Sequence, residues 1–289
     1  MADKIEYIIF IAFSRLFNIL GLKTSRKFSY LLAFIFFFVI PIRKQVTLGN
    51  LKLAFPEYPL KKIRKIAFES YRSFAITLIE ILYIPNMTCD QVERLIICRN
   101  NDFIIEKYRE NRGIILLSAH FGNWEAMAVS LSLQLKISFS AVIKAQRNML
   151  VSDWLNKMRS KWGNKIVPLG ISVREVYKAL KDKNIVAMVA DQRGPQDGIR
   201  VNFFGRKAAI YAGPAALALK TKSPLLFAVA VRQPDYTYIT SFEEVKMNNL
   251  PDDEAEKIVE ISQRHTILLE QAIKRNPEQW LWMHKRWKY

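Results

Sequence analysis

Two apolar runs open the chain. From Tyr7 to Leu22 the sequence YIIFIAFSRLFNILGL carries one charge, Arg15. Lys4, Ser14, Arg15 and Asn18 share a stripe at helical spacing, although Ile11 intrudes on it, so the pattern predicts an imperfectly amphipathic helix. Such a helix suits an interface better than a crossing of it. The second run, Phe28 to Ile42, is uncharged and flanked by basic clusters at Lys23–Lys27 and Arg43-Lys44. Its 15 residues fall short of the ~20 needed to span a bilayer, and Pro41 cuts it off. Basic flanks favour docking on an anionic leaflet, while a pair of buried core helices or one short membrane helix are the other readings of the same residues.

Beyond these runs, Ile63, Ile66, Ala67, Tyr71, Phe74, Leu78 and Leu82 recur at three- and four-residue spacing and predict a helix over 59–84, ended by Pro85. The period then changes. Short apolar runs at 113–119, 137–143, 165–169, 184–190, 224–231 and 238–242 alternate with helical stretches at 124–134, 150–162, 172–182, 212–221 and 252–275. Continuous hydrophobic strands with helices between them predict an α/β fold, a mainly parallel mixed sheet flanked by helices. Residues 1–42 are then an N-terminal segment of membrane-associating helices, and 43–289 one α/β catalytic domain. Ligands of such sheets gather at the carboxyl ends of the strands.

Composition narrows the function. With 44 Lys and Arg against 26 Asp and Glu, the net charge is +18, and the excess runs +8, +7 and +3 over residues 1–100, 101–200 and 201–289. A basic surface can serve nucleic acid, an anionic membrane, an acidic protein or a phosphorylated substrate. No helix-turn-helix, zinc-finger or RNP-like pattern accompanies the charge, which argues against nucleic acid. Cys89 and Cys98 read as two unpaired thiols, and three histidines make a histidine-rich metal site improbable. No secretory signal is apparent either, since the first apolar run follows Asp3 and Glu6 without a small-residue cleavage site.

The chemistry concentrates in Ser118-Ala119-His120-Phe121-Gly122-Asn123-Trp124-Glu125. His120 directly follows a buried strand, Gly122 permits a tight turn, and Asn123 can cap the helix beginning near Trp124. Glu125 in the first helical turn is placed to accept from the His120 Nδ1–H, leaving Nε2 as a base. An imidazole of pKa near 6.5 can take a proton from an alcohol attacking an activated acyl group, and such a base contributes about 10²–10⁴ in rate. A purely structural histidine is the competing reading. P-loop, G-x-G-x-x-G, H-E-x-x-H and G-x-S-x-G signatures are missing from the sequence.

HFGNWE resembles the H-x4-D/E motif of glycerolipid acyltransferases, and more closely the form in the bacterial lipid A late acyltransferases, the lauroyl/myristoyl transferase family. The resemblance runs along nearly the whole chain. It includes Asn50-Leu51 and Phe55-Pro56-Glu57, Asp191-Gln192 at a strand end, Val201–Gly205 with Gly213-Pro214-Ala215, and the closing PEQWLWMHKRW of 277–287. One stretch departs: many members carry an aromatic-Arg-Pro step where Lys144-Ala145-Gln146 precedes Arg147-Asn148 here, which leaves donor and acceptor details open.

The resemblance implies transfer of a fatty acyl chain from acyl carrier protein to a hydroxyl of a phosphorylated glycolipid, a lipid A precursor, at the cytoplasmic face of the bacterial inner membrane. The acyl thioester is a co-substrate and no cofactor is implied. Another glycolipid or amino-acid lipid as acceptor, or acyl-CoA as donor, is the alternative. By motif position His120 is the general base and Glu125 its orienting partner. Asn123, Arg147, Arg174, Asp191 and Arg232 are candidates for substrate contacts or, among the arginines, for the oxyanion donor; Asp191 is alternatively the anchor of one of those arginines. Trp280, Trp282 and Trp287, alternating with His284, Lys285 and Arg286, suit an interfacial belt, a glycolipid phosphate site or packing on the core, and His265, on a polar and acidic helix, is expected at the surface.

Overall fold

The computed structural model describes residues 1–170 and 172–288. Helices α1 (Ala2–Leu20) and α2 (Leu22–Phe34) are separated by Gly21, and α2 runs into a π-helical turn, Ile35–Val39, that stops before Pro41. Helix α3 (Lys44–Ala54) leads to the long α4 (Leu60–Tyr83), then α5 (Cys89–Leu95), strand β1 (Ile96–Cys98) and α6 (Asn101–Arg109). The predicted alternation follows: β2 (Ile114–Ser118), α7 (Trp124–Leu135), β3 (Phe139–Ile143), α8 (Met149–Lys161), β4 (Lys165–Pro168), α9 (Ser172–Lys181) and β5 (Ile185–Val189). A hairpin of β6 (Ile199–Phe203) and β7 (Arg206–Ile210) precedes α10 (Gly213–Thr221), β8 (Leu225–Phe227), β9 (Val231–Arg232), β10 (Tyr238–Thr240), β11 (Glu243–Glu244) and α11 (Glu254–Arg275).

The main sheet has the order β11-β8-β2-β5-β3-β4, with every pair parallel except β11 with β8. Strand β2 lies inside it and is apolar on both faces, as a strand covered twice must be. Ile115 and Leu117 pack with α4, α10, α11 and Trp280 on one face, while Ile114 and Leu116 pack with α7, Met158 and Trp162 on the other. The expected strand over 224–231 is instead two, β8 and β9, and the hairpin β6–β7 was not anticipated. It forms a separate two-stranded sheet, with Val201, Phe203, Ala208, Ala209 and Ile210 buried and Asn202, Arg206 and Lys207 exposed.

The N-terminal helices pack on α4 through Phe17, which meets Ile79 and Leu82, and through small and polar residues. Ser14 donates to the Leu82 carbonyl (3.0 Å), and Ser25, Ser29 and Ala33 are buried. The stripe that the spacing marks as polar thus turns partly inward, leaving large apolar side chains outside: Ile8 is 65% exposed, Ile19 83%, and Leu31, Phe38 and Val39 are also exposed. Among the described residues no single helix is long and apolar enough to cross a membrane; Leu22–Val39 and Lys44–Ala54 qualify only as a pair, bent by 95°.

Candidate active site

Register builds the site. Strands β2 and β5 pair in parallel with Ser118 opposite Val189. Two residues further along each strand, His120 and Asp191 therefore come side by side at the carboxyl edge of the sheet. The ladder continues through Ala190 N–H to the Ser118 carbonyl (3.0 Å), after which the Asp191 carboxylate replaces the backbone, with Oδ2 accepting from His120 N–H (3.0 Å). Its Oδ1 lies 2.8 Å from His120 Nδ1, and Oδ2 also accepts from Trp280 Nε1 (2.8 Å). Asp191 is buried, so its ionised form depends on these donors. Burial pushes its carboxyl pKa up, but the charge and hydrogen bonds of His120, with that of Trp280, hold it below the usual value. For His120 burial opposes protonation, while the Asp191 charge and hydrogen bond and the Glu125 charge outweigh it, so the imidazole pKa lies above 6.5.

An ionised Asp191 fixes the tautomer: Nδ1 carries the proton and Nε2 the lone pair. The His120 side chain is 22% exposed, and Trp124 packs edge-on against its ring at 4.8 Å. The Gln192 side-chain nitrogen lies 3.5 Å from Nε2. The turn that follows is held from three sides. Gly122 has φ 54°, and a Cβ there would meet the Ala230 carbonyl oxygen at 1.8 Å, so only glycine fits. Gly122 N–H donates to the Gln279 carbonyl (2.9 Å), Leu281 N–H to the His120 carbonyl (3.0 Å), and the Thr77 hydroxyl to the Gly122 carbonyl (2.6 Å).

Glu125 is not the Nδ1 partner expected from the sequence. It stands in the first turn of α7 and pairs with Arg159 of α8, with Nε to Oε2 at 2.8 Å and Nη2 to Oε1 at 2.5 Å. Both side chains are nearly buried, at 10% and 12% exposure. Removing either partner would strand the other charge, at a cost of about 3–5 kcal/mol. The pair sits at a narrow, mostly apolar groove that also takes in Ser118, Trp124, Leu131 and Phe139. A larger cavity, about 240 Å³, is lined by Arg99, Gln271 and Arg275, and His120 does not line it.

The profile of the bacterial lipid A biosynthesis acyltransferase family matches residues 2–289. The chain belongs to this family. It is 25% identical over 248 residues to the lipid A biosynthesis palmitoleoyltransferase of Escherichia coli, and 27% over 251 residues to the lipid A biosynthesis lauroyltransferase of the same organism; each match covers 85% of this chain and 79% of the relative. A phosphatidylinositol mannoside acyltransferase of Mycobacterium tuberculosis is 27% identical over 118 residues, covering 39% of this chain and 37% of that one. The chain is thus an acyltransferase, in a family named for acyl transfer.

Other residues singled out in the sequence are placed differently. In this lipid A acyltransferase family member Asn123 caps α7, accepting from Ala126 N–H (2.9 Å), but it is fully buried, and its amide donates to Glu80 (2.8 Å), so it is closed to substrate. Glu80 is itself fully buried and also accepts from Arg26 (2.8 Å) and the Tyr238 hydroxyl (2.5 Å), joining α2 to the turn that carries His120. Arg232 is committed inside the same network, to Tyr238 (2.8 Å), Ser73 (2.7 Å) and Thr77 (2.9 Å). Arg147 is 81% exposed and pairs with Glu6 (2.9 Å), and Arg174 lies on the exposed surface of α9, which follows edge strand β4. Asp191 anchors the histidine rather than an arginine. Trp280 and Trp282 are buried in the core, and so is His265, at 5% exposure, contrary to its expected place at the surface.

Proposed function

We propose that this acyltransferase moves a fatty acyl chain from acyl carrier protein to a hydroxyl of a lipid A precursor, with His120 as general base. The observation that carries the mechanism is the His120–Asp191 pair, which leaves an Nε2 lone pair at the open edge of the sheet. The hydroxyl proton passes to Nε2 as its oxygen attacks the thioester carbonyl; the imidazolium, stabilised by Asp191, then returns that proton to the departing thiolate. The apolar groove beside Glu125 suits the acyl chain, and Glu125, held by Arg159, raises the basicity of His120 through its charge. The phosphatidylinositol mannoside relatives support a second reading, in which another glycolipid is the acceptor.

The exposed apolar side chains of residues 1–42, together with the basic clusters at 23–27 and 43–44, support attachment of the enzyme to an anionic membrane face without a full span. The decisive assay follows acyl transfer from acyl carrier protein and from CoA thioesters to a lipid A precursor by mass spectrometry. His120→Ala is expected to abolish transfer, and Glu125→Ala to reduce it together with stability; unchanged turnover in His120→Ala would remove the base from the mechanism.

A further inference from the structure

Attack on a thioester builds negative charge on the carbonyl oxygen, and this charge needs a donor within hydrogen-bond reach of where the hydroxyl meets Nε2. Three backbone amides of the turn are spent: His120 N–H on Asp191, Phe121 N–H on the Ala119 carbonyl (2.7 Å), and Gly122 N–H on the Gln279 carbonyl. The arginines marked in the sequence are elsewhere, Arg232 locked against α4, Arg147 on Glu6 and Arg174 at the sheet edge. Gln192 remains. It follows Asp191 directly, its side chain is exposed, and its amide reaches to 3.5 Å from Nε2 at a long, weak hydrogen-bonding distance. The orientation with nitrogen toward the ring is the consistent one, because Nε2 is an acceptor when Nδ1–H faces Asp191, and two acceptors would repel.

We propose that Gln192 is a catalytic residue of this reaction, its side-chain N–H donating to the thioester oxyanion. The inference rests on His120 acting as the base. In the resting site the amide caps the Nε2 lone pair. When the acceptor hydroxyl takes over that lone pair, the amide is released a short distance from the reacting carbonyl. The hydroxyl oxygen forms the new C–O bond, its proton goes to Nε2, and the carbonyl π pair moves onto oxygen, where Gln192 meets it. As the oxyanion collapses, the C=O bond re-forms, the C–S bond breaks, and the thiolate takes the proton from His120.

The test uses the full chain in detergent micelles with acyl carrier protein thioester and lipid A precursor, comparing Gln192→Ala, Gln192→Glu and His120→Ala. Loss of one oxyanion donor predicts a fall in kcat of about 10²–10³ in Gln192→Ala with KM for both substrates little changed. Gln192→Glu, of the same shape without the donor, should be no more active, and its carboxylate should move the acid limb of the pH–rate profile upward. A Gln192→Ala enzyme with wild-type kcat, or one impaired only in KM, overturns the proposal while an inactive His120→Ala leaves the base in place. An active His120→Ala removes the base itself and the proposal with it. The side chain is exposed, so misfolding is not expected of either variant; a circular dichroism melt matching wild type separates lost chemistry from lost structure.

Discussion

Replacing Asp191 by Asn tests the dyad with a change of one atom. The carboxylate accepts three hydrogen bonds, two of them at Oδ2, from His120 N–H and Trp280 Nε1–H, and one at Oδ1, from His120 Nδ1–H. An asparagine must point its one oxygen at one side. Turned toward Nδ1, it would set its NH₂ against two donors, leaving two buried hydrogen bonds unmade at about 1–3 kcal/mol each. It therefore keeps its oxygen on the backbone and the indole and presents NH₂ to Nδ1, which must then accept. The ring proton moves to Nε2, and the base is lost. A histidine trapped in the wrong tautomer costs about 10⁴ in kcat, or about 5 kcal/mol of barrier. The same change removes the carboxylate charge that lifts the His120 pKa, so the acid limb of residual activity should shift to lower pH. The assay is kcat and kcat/KM against pH for wild type and Asp191→Asn, with thermal melts to confirm folding. A folded variant within about tenfold of wild-type kcat would refute the argument, since even a modest general base contributes about 10².

Two further expectations concern acid stability and the membrane. Burial, reinforced by the Arg286 charge, pushes the His265 pKa from 6.5 down to about 4, so the unfolded chain binds a proton there that the folded protein refuses; this stabilisation is complete above pH 6.5 and lost as pH falls toward 4. Urea unfolding at pH 5 should therefore show about 2 kcal/mol less stability from this residue than at pH 7.5, and His265→Leu should reduce that acid sensitivity; an equal pH response in the variant would contradict the assignment. The enzyme should float with anionic phosphatidylglycerol vesicles, and Ile8→Asp with Ile19→Asp should weaken that flotation without altering the fold, since both side chains are largely exposed. Equal flotation of the double variant would remove α1 from the membrane contact.

The parts of the fold that the sequence reveals are those set by local periodicity. Strand β2 is an uninterrupted apolar run because both of its faces are covered, and α7 to α11 begin and end within two residues of where their patterns place them. What escapes is set by register between distant strands. Nothing near His120 or Asp191 announces that 71 positions of sequence separate two partners in one ladder. The nearer carboxylate, Glu125, was the natural choice, yet α7 turns it toward Arg159, a cation that itself sits in an ordinary amphipathic pattern on α8. His265 carried a usable signal: Ile261, Ser262, His265, Leu269 and Ile273 recur at helical spacing and form the buried face of α11. The acidic and basic neighbours that suggested a surface site occupy the opposite face.

The placement of the other candidates explains why so much of the chain is needed to present one imidazole. The six-residue motif cannot hold itself: Gly122 is clamped between Ala230 and Thr77, Asn123 is held by Glu80, and the backbone of His120 and Gly122 is stitched to Gln279 and Leu281 near the C-terminus. Arg232, which looks from its strand end like a ligand for phosphate, instead cross-braces Tyr238, Ser73 and Thr77 behind that turn. Arg26 reaches Glu80 from α2, so the helices carrying the exposed apolar surface bear directly on the residue that holds the cap of α7. A carboxylate in that position, fully buried, is stable only while its three donors stay in place. The C-terminal strap meets the same demand: Asn50 donates to the Trp282 carbonyl (2.8 Å), fixing the strap, and Trp280 within it donates to Asp191. Asn50 and the strap thus reach His120 through two hydrogen bonds or fewer, by way of Leu281 N–H on the His120 carbonyl.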